Sequence, residues 1–130
     1  MLFEFNEVKI PEKKSGLFDL NTGFELGNMF ECLYKGYKNY EPREIKPKNE
    51  KEMLFLNIQK LSFAINELNL YLDIHPEDER MYELFKKYCV MYQECLNEYE
   101  SKYQVLELFH DIYGKYTWYK GFPWEDKNYV

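Results

Sequence analysis

The sequence predicts an all-α protein: an antiparallel two-helix hairpin with an irregular N-terminal arm and an aromatic, Pro/Gly-containing C-terminal tail. Three observations carry this. Residues 49–103 hold no glycine and a single proline, Pro76. Apolar residues on either side of that proline recur at steps of three and four, the spacing of one helical face. The Asp73-Ile74-His75-Pro76 break between the two stretches is short, and a short turn between helices of equal length makes them antiparallel neighbours.

Residues 1–48 form the arm. They contain four of the six glycines and three of the five prolines, with no sustained helical period. One short helix is expected near residues 29–34, and Pro42 and Pro47 mark a stiff connector. Residues 49–130 form the hairpin domain with its tail. In the first long helix Leu54, Ile58, Leu61, Ile65, Leu68 and Leu72 lie on one stripe. Asn49 starts it, with Glu50 and Glu52 near the positive end of the helix dipole. It should stop at His75, because a residue before proline avoids helical geometry. Pro76 is expected in the first turn of the next helix, with Glu77, Asp78 and Glu79 beside it. That helix carries Met81, Leu84, Phe85, Tyr88, Met91, Tyr92, Cys95, Tyr99 and Tyr103 within a band of about 120°, the width of a buried stripe. Each helix is expected to span about 26 residues, roughly 39 Å. Residues 105–113 suggest a further short helix. Beyond them Gly114, Gly121 and Pro123 interrupt an aromatic tail.

The first long helix has a second apolar face. Leu56, Phe63 and Leu70 repeat every seven residues opposite the main stripe, with Ile74 nearby. A helix with two apolar faces is buried on both. The hairpin mate covers one; the arm, the tail, a second copy or another protein must cover the other. Candidate contact residues are therefore Leu56, Phe63 and Leu70 on the helix. The arm adds Phe24, Met29, Phe30 and Tyr34, and the tail Trp118, Phe122, Pro123 and Trp124.

Composition points the same way. With 13 Tyr, 10 Phe and 2 Trp, 19% of the 130 residues are aromatic, a bias towards large contact surfaces with polar handles. The net charge of −6, with lysines interleaved among glutamates, disfavours nucleic acid and acidic membranes. No stretch approaches the roughly 20 apolar residues that span a bilayer. Residues 1–14 lack a signal-peptide pattern, so a protein made and held in the cytosol until an assembly captures it is expected. Cys32, Cys89 and Cys95 cannot all pair within one chain, which suits a reducing compartment.

Chemistry has little support. Glu107 and His110 have the Glu-x-x-His spacing of dimetal bundles, but such sites need two of these elements and two more carboxylates. Cys89 and Cys95 sit about 120° apart around a helix and cannot share a metal. Neither a nucleophile elbow nor a phosphate loop is present. No enzyme activity and no cofactor are expected. Exposed Tyr37, Tyr40, Tyr116, Tyr119 and Tyr129 are candidates for oxidative cross-linking in an insoluble assembly, against the alternative that tyrosines serve packing.

The junction string Leu68-Asn69-Leu70-Tyr71-Leu72-Asp73-Ile74-His75-Pro76-Glu77-Asp78 resembles the signature of the bacterial spore coat family CotJB. The likeness continues through Glu83-Leu84-Phe85, Tyr99-Glu100-Ser101-Lys102-Tyr103 and Phe122-Pro123-Trp124-Glu125, covering residues 49–125. The arm, through Gly23-Phe24, Gly27-Asn28-Met29-Phe30, Leu33-Tyr34 and residues 37–42, is similar to the short companion protein CotJA. The resemblance implies a structural role in the endospore coat, assembled on the forespore from the mother-cell cytoplasm. It also implies partnership with other coat proteins, including a CotJC-like manganese catalase to which any metal site would belong. A homo-oligomer is compatible with it. Gln104-Val105 replaces the family's Gly-Pro pair, and Tyr116-Thr117-Trp118-Tyr119 replaces its first Pro-Trp element. The rival readings are a generic helical adaptor and a small metal-dependent oxidase built on Glu107 and His110.

Overall fold

A computed structural model of the chain describes residues 16–36, 38–110, 114 and 116–125. Among the described residues three α-helices run in order, α1 (Leu20–Leu26), α2 (Glu50–Ile74) and α3 (Glu79–Lys102). Short 3-10 turns lie at Glu31–Leu33, Leu108–His110, Thr117–Lys120 and Pro123–Glu125. The two long helices pack side by side as the antiparallel hairpin expected from the sequence.

The helix ends follow from their caps. Asn49 Oδ1 accepts the Glu52 N–H at 2.9 Å, and the Glu52 carboxylate reaches back to the Lys48 N–H at 2.7 Å. This reciprocal pair satisfies donors that a helix start leaves open. α2 ends at Ile74, with His75 as its cap before Pro76. Pro76 does not enter the next helix. It forms a turn with Glu77, and Asp78 is the cap, accepting the Met81 N–H at 3.2 Å. A side chain able to cap outcompetes a proline start, so α3 begins at Glu79, three residues later than a helix opened by Pro76.

Leu54, Leu61 and Leu68 of α2 are fully buried against Met81, Leu84, Tyr88, Met91, Cys95 and Tyr99 of α3. Each fully buried leucine contributes on the order of 1.5–3 kcal/mol. Ile65 and Leu72 flank this seam half-buried, as do Phe85, Tyr92 and Tyr103. Burial pushes the Tyr88 phenol and the Cys95 thiol each up to about 12, which keeps both neutral.

The arm differs from expectation. Its helix is Leu20–Leu26, and residues 29–34 hold only a bridge and the 3-10 turn. Asp19 caps α1, accepting from the Thr22 N–H and the Thr22 hydroxyl, each at 2.9 Å. Gly27 ends it with φ of 79°, returning its N–H to Gly23. Gly23 is small for a packing reason: a Cβ there would run into Met29 Sδ. The chain then folds back, Phe18 N–H donating to Met29 O at 2.9 Å and Glu31 N–H to Gly16 O at 2.8 Å. This places Leu17, Leu20, Met29 and Phe30 in the same core as the hairpin. Local capping rules, not periodicity, placed this helix.

Past α3 the expected helix over 105–113 is replaced by the turn Leu108–His110; residues 111–113 lie outside the described set. Val105 is fully buried, and its backbone bonds to the tail instead of to a helix. Its N–H donates to Thr117 Oγ1 at 3.2 Å, and its carbonyl accepts from Trp118 Nε1 at 2.6 Å. Gln104 Nε2 adds a bond to Gly121 O at 3.3 Å.

Candidate functional site

The most recognisable string in the sequence turns out to be a clasp around the hairpin turn. The Tyr71 hydroxyl donates to Asp78 Oδ2 at 2.6 Å, while the other oxygen of Asp78 caps α3. One carboxylate thus ties the last turn of α2 to the first turn of α3. The Tyr71 ring lies 4.7 Å from the His75 ring and stacks on Phe30 of the arm at 5.3 Å. The hydrogen bond from Tyr71, then the Met81 N–H, hold the Asp78 carboxyl below its usual range. The same bond pushes the Tyr71 phenol up. The arrangement fixes geometry.

The second apolar face of α2 is covered unevenly. Leu56 is buried at 3% exposure. Phe63 is half-buried, with Phe24 of α1 edge-on to it at 6.0 Å. Lys60 on the same side donates to Asn21 at 2.8 Å. Towards the turn the cover stops, leaving Leu70 57% and Ile74 76% exposed. Met29 and Phe30 face the chain's own core, and Tyr34 lies half-buried, edge-on to Phe18. Of the arm and helix candidates, therefore, Leu70 together with Ile74 presents the open surface.

At the other end of the hairpin the tail forms an aromatic cluster. Phe122 and Trp124 stack at 4.7 Å, nearly parallel, and Trp118 stands edge-on to both at 5.6 Å. Pro123 is buried, while Trp124 remains 62% exposed. Beside it a cleft of about 560 Å³ is lined by Lys51, Lys102, Tyr103, Gln104, Phe122 and Glu125, among others.

Glu107 and His110 come together, but with a third residue that sequence reasoning missed. His110 Nδ1 lies 3.0 Å from Glu100, and Nε2 lies 3.2 Å from Glu107. Glu100 is 3% exposed and also accepts the Leu106 N–H at 2.8 Å. Both ring nitrogens already face oxygens on opposite sides, so the carboxylates do not converge on one point. Among the described residues no group of three or more His, Cys, Asp or Glu is placed to hold a metal ion. Glu100 lies one helical step outside the α3 core stripe, which is why its burial left no mark on the pattern.

Cys32 is exposed, Cys89 half-buried and Cys95 buried, all three as free thiols. Tyr40 and Tyr116 are about half exposed, Tyr119 lies in the turn Thr117–Lys120, and Tyr37 and Tyr129 lie outside the described residues. No described helix is long and apolar enough to cross a membrane.

Comparison with known proteins adds the family. No curated protein and no solved structure matches the chain. The family model described as CotJB protein matches residues 52–125, from the first turn of α2 through the clasp and α3 to the end of the aromatic cluster. With more than half of its length matched, the chain belongs to the CotJB family of spore-coat-related proteins.

Proposed function

We propose that this protein is a non-catalytic structural component of the endospore coat, working by protein–protein contact beside a manganese-catalase-like coat protein. It assembles from the mother-cell cytoplasm onto the forespore. The observation that carries the reading is the family match over the hairpin and tail. Two surface features support it: the exposed Leu70 and Ile74 at the turn, and the exposed Trp124 at the far end. Clustered exposed apolar side chains cost solubility unless something covers them in use.

Co-expression with the catalase-like product of a neighbouring gene, followed by affinity capture of this chain, tests the reading. The pair should co-purify, and the double substitution Leu70→Lys, Ile74→Lys should reduce recovery at least about tenfold, since burying two charges in an apolar contact is strongly unfavourable. Both positions are exposed in the free chain, so its helicity should not change. Absence of co-purification with the wild-type chain sinks the partner assignment.

A further inference from the structure

α1 covers one flank of α2, marked by Lys60 and Phe63. The opposite flank, carrying Ser62, Asn66 and Asn69, borders an open groove of about 480 Å³ between α2 and α3. Ile65, Phe85 and Tyr92 give the groove an apolar floor, and those three polar residues form its α2 rim. No residue lining it is charged, although 31% of the chain is. Burial pushes the Cys89 thiol and the Tyr92 phenol up, so these also stay neutral. Depletion of charge with aromatic enrichment marks the centre of protein interfaces.

The same channel is already filled closer to the open end. Leu96 and Glu100 continue the α3 face that bears Cys89 and Gln93, and both are buried. There Glu100 holds the Leu106 N–H and the His110 ring. The channel thus accepts packed chain along one half and lies open along the other.

The chemistry of the rim selects the occupant. A strongly acidic or basic partner would call for opposite charge in the groove, and there is none. Two copies of a chain with net charge −6 repel unless they meet on an uncharged face. Carboxamides and hydroxyls both donate and accept hydrogen bonds, so each can pair with its own symmetry mate across a two-fold axis. We propose that this groove is the two-fold interface of a homodimer, with the α2 helices antiparallel and the Asn66 side chains facing each other at the axis. In that register Asp73, the acidic residue at the end of the ridge, falls beside Gln59 of the second copy and not beside another carboxylate. The homodimer does not rest on the coat assignment; it follows from the groove.

Sedimentation equilibrium of the full chain over a concentration series tests it. The wild type should dimerise. Asn66→Lys and Asn66→Asp, each placing like charges face to face, should weaken the dimer at least about tenfold. Mixing the two variants should restore association, a rescue that misfolded chains cannot give. Val90→Lys, on the exposed back of α3, should leave the dimer intact, and circular dichroism should show equal helicity throughout. A wild type that stays monomeric overturns the proposal. So does an Asn66→Lys chain that still dimerises, a Val90→Lys chain that does not, or a mixture that fails to re-associate.

Discussion

At its turn the hairpin is closed by near neighbours in sequence, while at its open end it is closed by residues far apart. Tyr71 reaches Asp78 seven positions away, and Asp78 caps the helix that follows it. At the open end Lys102 pairs with Glu50 across 52 positions, and Trp118 reaches back 13 to Val105. Near contacts close small loops and cost little chain entropy; far ones form only once the helices are already side by side. The turn is therefore the end expected to hold on its own, with one exception: Phe30, which stacks on Tyr71 from the arm.

That exception gives the largest expected effect. Phe30 is 9% exposed and belongs to the shared core. Phe30→Ala should lower the stability read from urea unfolding by about 3 kcal/mol, in the range for emptying a buried aromatic site. A loss below about 1 kcal/mol would show that the turn is closed by its local clasp and that the arm merely rests on it.

Next comes the clasp. Asp78→Ala removes a helix cap and the acceptor of the Tyr71 hydroxyl together, which should cost about 2 kcal/mol. The effect should also depend on acidity. Because the folded-state carboxyl lies below its usual range, its contribution is complete above an unfolded value near about 4 and fades as the pH falls through the folded value. The stability gap between wild type and Asp78→Ala should therefore be constant at neutral pH and close in acid. A gap that survived at pH values well below that range would mean the side chain acts by shape and not by charge.

The same contrast explains what could be read from the sequence. The helix boundaries at Asn49 and His75 and the buried stripes followed from capping residues, the proline and apolar spacing, all local signals, whereas no such signal marked the end of α3 at Lys102. The second face of α2 was visible as the repeat of Leu56, Phe63 and Leu70, but not which part of the chain would cover which residue. That depended on α1, whose seven residues are too short to show a period. Its signal was there in another form: Asp19 ahead of Thr22, and Gly27 at the end. The tail was least legible. Val105, Thr117 and Trp118 assemble through backbone-to-side-chain bonds, and no spacing rule encodes those. Glu100 was invisible for a related reason, since a buried carboxylate outside the apolar stripe looks like any solvated glutamate until Leu106 and His110 are placed on it.

The smallest effect concerns what closes the open end, charge or tail. Trp118→Phe keeps a ring against Phe122 and Trp124 but removes the indole N–H from the Val105 carbonyl, a loss of about 1 kcal/mol. Lys102→Met removes the ion pairs to Glu50 and Glu98, at 2.8 and 3.0 Å. Those two carboxylates hold the Lys102 ammonium well above the usual lysine range, which at first sight makes it the stronger tie. Its side chain is 48% exposed, however, and water screens such pairs until little net stabilisation remains. Thermal melts at physiological salt should accordingly separate Trp118→Phe from wild type and leave Lys102→Met indistinguishable from it. The reverse order would mean that the two helix ends are held by charge first and that the aromatic tail docks on an end already closed.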